Sequence, residues 1–218
     1  MSPALYDRIG VGYSEFRRPD GRIARRVDAA LGHSRTVLNV GAGTGSYEPQ
    51  SRFVVAVEPS VEMLRQRPRT AARSIQAVAE RLPFLDRAFD ATLAILTIHH
   101  WSRRDRGLAE MRRVSRDRVV ILTWDPTHPS FWLVQDYLPE ILEIDRPHFP
   151  LLSDIEKAIG PIEVHTLPVP ADCSDGFLGA YWRRPAAYLN PGARAAISTF
   201  SKLDSVPAIE RLRRDLED

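Results

Sequence analysis

The sequence predicts an α/β fold: a doubly wound, mostly parallel sheet with helical additions at its N-terminal and C-terminal ends. Three observations lead there. Short apolar runs rich in β-branched residues recur between residues 36 and 124, each cut off by glycine, proline or charge. Segments with apolar residues at three- and four-residue spacing separate these runs. The first run opens directly into three closely spaced glycines, Gly41, Gly43 and Gly45. Continuous apolar strands alternating with helices imply parallel pairing, with helices covering both faces of the sheet.

In chain order, Ile23, Val27, Ala30 and Leu31 recur at helical spacing and predict an amphipathic helix within Pro19–Leu31. Thr36–Val40 reads as the first buried strand and Phe53–Val57 as the second, ended by Glu58 and Pro59. Phe53 follows Gly45 by only eight positions, with Pro49 between, so the first crossover is short or irregular. Ser60 starts a short helix to Gln66, which Pro68 stops. Ser74–Ala79 is expected as a third strand, Phe89–Leu96 as a fourth, Arg104–Val114 as a helix and Arg118–Trp124 as a fifth strand. Beyond these, the pattern predicts helices over Phe131–Ile144 and Ser153–Ile159. A sixth strand over Ile162–Val169 and helices over Ala193–Phe200 and Ala208–Leu216 follow. The 218 residues are read as one domain: an N-terminal lid or helix over 1–31, a core over 32–125 and a C-terminal part over 126–218.

Composition narrows the function classes. Thirty basic residues against twenty-eight acidic leave a net charge of +2, too weak a field to imply nucleic acid or an anionic membrane as partner. Cys173 is the only cysteine, which excludes an intramolecular disulfide. Asp125 and His128 lack a third ligand at sensible spacing, so no metal site is expected. No apolar run approaches the ~18–20 residues of a membrane helix, and the start MSPALYDRIG lacks a signal-peptide pattern. A cytoplasmic protein, monomeric or homodimeric, is the expectation.

The segment Val37–Tyr47 carries the most information. Glycines at 41, 43 and 45 let the backbone turn tightly and approach a ligand without side-chain obstruction. In a doubly wound sheet ligands bind at the carboxyl ends of strands, where the strand order reverses. Glu58 closes the second strand, where a carboxylate can accept from the two hydroxyls of a ribose. Turn and acid together point to an adenosine-containing ligand. The G-x-G-x-G spacing departs from the G-x-G-x-x-G of dinucleotide binders, and no Gly-Lys-Ser/Thr phosphate loop is present.

With AERLPF (Ala79–Phe84), FDATLAILTIHHW (Phe89–Trp101) and EMRRVSRDRVVIL (Glu110–Leu122) in the same order and spacing, the stretch from Tyr6 to Asp125 resembles class I S-adenosylmethionine-dependent methyltransferases. The resemblance is closest to small-molecule enzymes related to quinone-biosynthesis methyltransferases. It implies a Rossmann-like methyltransferase fold, S-adenosyl-L-methionine as cofactor and direct in-line transfer of its methyl group to a small-molecule acceptor. Gly41, Ala42, Gly43 and Gly45 would make room for the methionyl part, Glu58 and Pro59 would meet the ribose, and Ala79 and Glu80 would border the adenine. Leu96, Thr97 and His99 would face the reacting centre. His99 or His100 either serves as general base or packs beside the cofactor. Tyr6, Tyr13, Arg17 and Arg18 would fold over the site. Tyr13, Arg17, Thr97 and Trp101 would fall on the acceptor side. Trp132, Tyr137, Phe177, Tyr181 and Trp182 either line the acceptor pocket or form core. Two positions depart from the family pattern: Asn39 replaces an acidic residue, and Val78 stands where many members have an aspartate. Two rivals stay open, a catalytically silent S-adenosylmethionine-binding module and a nicotinamide-dependent oxidoreductase.

Overall fold

The computed structural model describes residues 13–128 and 130–218. Five strands form one parallel sheet: β1 (Thr36–Val40), β2 (Phe53–Val57), β3 (Arg73–Ile75), β4 (Phe89–Ile95) and β5 (Ser115–Leu122). Their order is β3-β2-β1-β4-β5, so the sequence order reverses between β1 and β4. Asn39 is in register with both Ala56 and Leu93, which brings the carboxyl ends of the three central strands to one edge. β1 and β4 are mostly apolar and largely buried, because both faces of the central sheet are covered; Asn39 and Thr92 are the buried polar residues on them.

The helices are α1 (Tyr13–Phe16), α2 (Gly21–Ala30), α3 (Val61–Arg65), α4 (Arg104–Val114), α5 (Glu140–Asp145), α6 (Leu152–Ile159), α7 (Pro191–Ala195) and α8 (Val206–Glu217). Asp20 caps α2 by accepting from the Arg22 amide, and Ser60 caps α3 by accepting from Met63. On one sheet face Leu38, Val40, Val57 and Ala94 pack with Leu108, Met111 and Val114 of α4 and Ile155 of α6. On the other, Val37, Ala91 and Leu93 meet Ile23 and Val27 of α2, together with Cys173, Phe177 and Ala180 from the C-terminal part. A third cluster contains no strand residue: Leu133, Leu138 and Ile141 pack with Tyr181, Tyr188, Ile209 and Leu212.

Several expectations are corrected. β3 stops at Ile75 instead of Ala79, because its partner β2 ends at Val57, the residue paired with Ile75. Beyond it Val78 is half-buried on a turn, and Ala79 drops into the core. The sixth strand is not formed; Ile162–Val169 runs without a ladder, and the prolines at 161, 168 and 170 remove the donors a ladder needs. The helix expected over Phe131–Ile144 is split at Pro139 into a wide turn, Leu133–Tyr137, and α5. β5 begins at Ser115 and ends at Leu122, following α4 without a loop. The last helices likewise divide, into α7 and a 3-10 turn over Ser198–Lys202. Between β1 and β2 there are only turns, as the short spacing required.

Gly107 shows how tightly α4 sits on this sheet. A Cβ there would lie 2.4 Å from Cε3 of Trp101, whose ring packs beside the helix. Propensity alone favours Gly107→Ala by about 1 kcal/mol, whereas overpacking costs about 1–3 kcal/mol. The net expectation is destabilisation, seen as a lower urea midpoint at unchanged slope. A raised midpoint would contradict this packing.

Candidate functional site

The polar groups at the sheet's carboxyl edge gather around the turn after β1. Gly41, Gly43 and Gly45 all take positive φ, at 71°, 51° and 96°, where a side chain is strained. The amides of Gly41 and Ala42 both donate to the Val57 carbonyl, at 2.8 and 3.0 Å, tying the turn to the end of β2. A Cβ on Gly41 would lie 2.2 Å from Thr97 Oγ1, so the chain beyond β4 presses directly on the turn. At Gly43, by contrast, a Cβ would meet only Met63 Cε, at 3.6 Å. The middle of the turn therefore has room above it.

Two buried carboxylates hold the turn. Glu58 accepts from the Gly43 amide at 2.8 Å and from the Ser60 amide at 2.9 Å, bridging the turn and the start of α3. Glu48 forms a buried ion pair with Arg67, at 2.7 Å. Arg67 also donates to the carbonyls of Gly43 and Ala72, and Glu48 accepts from the Ala72 amide and from Asn39 Nδ2. Asn39, where the family pattern has an acid, thus meets a carboxylate brought in from the following loop. Its Oδ1 is buried with no hydrogen-bond partner among the described residues.

The rim is the chain beyond β4. Leu96 adopts φ 48°, a strained value for a leucine that turns Thr97 toward Gly41. His99 stacks on Phe149, with ring centroids 4.3 Å apart, and lies tilted against His100 at 3.9 Å. Burial, reinforced by the positive charges of Lys202 and Arg17 and by the nearby His148 ring, pushes His100 down to about 4. His99 is lowered further by burial and by His100 beside it. Both imidazoles are therefore neutral and weakly basic at pH 7. Glu80 accepts from Ser102 Oγ and the Arg103 amide, joining the loop after β3 to this rim.

Of the residues singled out in the sequence, Gly41, Ala42, Gly43, Gly45, Glu58, Leu96 and Thr97 lie along this edge, and Pro59 links β2 to the Ser60 cap of α3. Ala79 is buried in the core below Glu80. Trp101 lies against Gly107. Tyr13 begins α1, and Tyr6 lies outside the described residues. Arg17 pairs with Asp175 at 2.6 Å, and Tyr47 donates to the same carboxylate at 2.8 Å. The aromatics of the last third are mostly core: Trp132 and Tyr181 pack edge-on against buried Tyr188, and Phe177 lies under the sheet. Glu48, Arg67, Tyr47 and Asp175 were not foreseen. Their only trace in the sequence is a few polar residues inside short, proline-broken connections.

A five-stranded parallel sheet with a glycine turn and an acidic residue closing the next strand defines a nucleotide-binding α/β protein of the methyltransferase type. The family described as methyltransferase domain matches residues 38–122. A solved structure from Anabaena variabilis, provisionally described as a methyltransferase from an antibiotic biosynthesis pathway, is 33% identical with a TM-score of 0.85. That match covers 93% of this chain and 88% of that one. Demethylmenaquinone methyltransferase of Renibacterium salmoninarum is 34% identical over 101 residues, 44% of this chain and 43% of the relative. Geranyl diphosphate C-methyltransferase of Streptomyces coelicolor, 17% identical with a TM-score of 0.57 over 83% of this chain and 73% of that one, shares the fold. This chain belongs to the class I S-adenosylmethionine-dependent methyltransferase family. It spans about two thirds or less of the length of the first curated relatives it matches.

Two outcomes follow from the site's electrostatics. Arg67→Met leaves Glu48 buried without its cation and should cost about 3–5 kcal/mol of stability; a loss under 1 kcal/mol in urea denaturation would contradict the pairing. Because His100 is lowered in the folded state, the unfolded chain binds more protons between pH 6.5 and 4, and stability falls as pH drops through that window. Imidazole NMR should place the His100 midpoint near 4; a midpoint near 6.5 would contradict its burial.

Proposed function

We propose that this protein transfers a methyl group from S-adenosylmethionine to a small-molecule acceptor. The observation that carries the reading is the turn at 41–45, open above Gly43 and fixed from below by Glu58 and the Glu48–Arg67 pair. The residues present fit the cofactor. A backbone cradle without side chains suits the methionyl portion, and the buried, unpartnered Asn39 Oδ1 is an acceptor suited to an ammonium. Glu58, already oriented by two amides, supplies a carboxylate for the ribose hydroxyls. When bound, S-adenosylmethionine would supply an activated methyl: an acceptor atom would bond to that methyl carbon in line as its bond to sulfur breaks, with S-adenosylhomocysteine as the leaving group.

The chain's own task is then mainly alignment, which needs no nucleophile or triad. Thr97, against Gly41, sets the distance between the turn and the acceptor side. His99 and His100, neutral at pH 7, can accept a proton from an acceptor hydroxyl or amine. A base with a midpoint near 4 is a weak one, so these rings mainly shape and desolvate the site unless a bound acceptor raises their basicity. The small net charge supports a metabolite over nucleic acid as acceptor. Among the described residues no helix is long and apolar enough to cross a membrane.

Isothermal titration with S-adenosylhomocysteine, S-adenosylmethionine and NAD tests the reading. The two sulfur ligands should bind and NAD should not; binding of NAD alone would overturn it. Glu58→Ala should weaken S-adenosylhomocysteine by about 1.5–3 kcal/mol. Gly43→Val, whose side chain is strained at φ 51° and fills the cradle, should abolish binding.

A further inference from the structure

A cleft of about 940 Å³ opens on the far side of the histidine rim, between the start of α4, residues 147–150 and α6. Its charge is lopsided. Arg103, Arg104, Lys157 and Lys202 line it against only Asp105 and Asp154. The residues that line it carry a net +2, or +1 once Asp145, the partner of Lys202, is included. The aspartates are already matched, Asp105 by Arg103 at 3.3 Å and Asp154 by Lys157 at 3.4 Å. Arg104 forms no ion pair among the described residues; its guanidinium is held by the carbonyls of Pro147 and His148. Lys202 makes a long ion pair with Asp145, at 3.8 Å, which leaves Arg104 as the cation of the cleft without an ion-pair partner among the described residues. Like charges gathered in a concavity focus their field, and the group that relieves their repulsion is an anion.

The wall of the cleft lies two residues along the chain from the proposed transfer site. Thr97 touches the glycine turn, and two residues later His99 and His100 form the inner wall of the cleft. His99 Nδ1 is buried there with no hydrogen-bond partner among the described residues.

We propose that this cleft receives a compact anionic group of the methyl acceptor, a carboxylate or a phosphate, and so points the acceptor's nucleophilic end toward His99 and His100. The word acceptor rests on the methyltransferase reading above; the binding of an anion does not. The arrangement also couples binding to basicity. Lys202 and His148 help to depress His100, so an anion set among them offsets that effect and raises the ring's affinity for a proton only when the cleft is filled.

The test uses inorganic phosphate and acetate as separate probes on the intact protein, at ionic strength held constant with sodium chloride. S-adenosylhomocysteine is titrated in parallel. One anion should saturate and shift the His100 imidazole midpoint upward by about half a pH unit or more. Saturation by phosphate alone identifies a phosphate; comparable saturation by acetate identifies a carboxylate. The double variant Arg104→Gln/Lys202→Gln removes the two cations that no aspartate lining the cleft matches, and S-adenosylhomocysteine binding reports whether the fold is intact. It should weaken the anion about tenfold, the scale of two partly exposed charge contacts, with S-adenosylhomocysteine affinity unchanged. Saturation by neither probe, or equal binding to the variant, would overturn the proposal. Anion binding without any S-adenosylhomocysteine binding would overturn the methyltransferase reading alone.

Discussion

The carboxyl edge of the sheet depends on one hydrogen bond, from the Gly43 amide to Glu58. β1 cannot continue past Val40, because the chain there takes three left-handed glycines in five residues. Such a segment gains nothing from a ladder and loses more conformational entropy than any other on ordering. It is held because Glu58 receives the amide at its centre, while Val57 receives the two amides before it. Glu58 is in turn fixed by the Ser60 amide, and Ser60 caps α3. The end of β2, the turn and the next helix are thus one hydrogen-bonded unit.

A second layer lies beneath. Arg67, two residues beyond α3, reaches back to the Gly43 carbonyl and to Glu48, and Glu48 reaches Asn39 on β1. A buried ion pair of this kind adds little net stability, since desolvating both charges offsets most of their attraction. Its contribution is positional: both lobes of the glycine turn have a fixed floor. Tyr47, the residue before Glu48, links the same loop to Asp175 and Arg17, and so to α1 and the C-terminal part. The residues covering the edge are consequently tied to the turn they cover.

The legible part of this architecture was local. β1, β2 and α4 announce themselves by continuous apolar runs and helical spacing, and they have the bounds read from the sequence. The glycine turn and Glu58 are legible because φ preference and strand position are properties of a few adjacent residues. β3 and the 162–169 segment were misread for one reason. Strand length is set by the partner, and neither the end of β2 at Val57 nor the missing neighbour for Ile162–Val169 is written in those residues themselves. The pairings Glu48–Arg67 and Arg17–Asp175 span 19 and 158 positions and left no periodic trace. The cleft behind the histidines was equally hidden, since Arg103, Lys157 and Lys202 meet only once α4 and α6 pack together.

The proposed seat of the cofactor is the turn at 41–45, with Glu58 beside it. An amide chemical-shift map recorded with and without S-adenosylhomocysteine tests it most directly. The largest changes should fall on Gly41, Gly43, Gly45, Glu58 and Ser60, with smaller ones at Thr97 and Glu80. Saturable binding that leaves these amides unmoved and shifts another part of the sheet would contradict it.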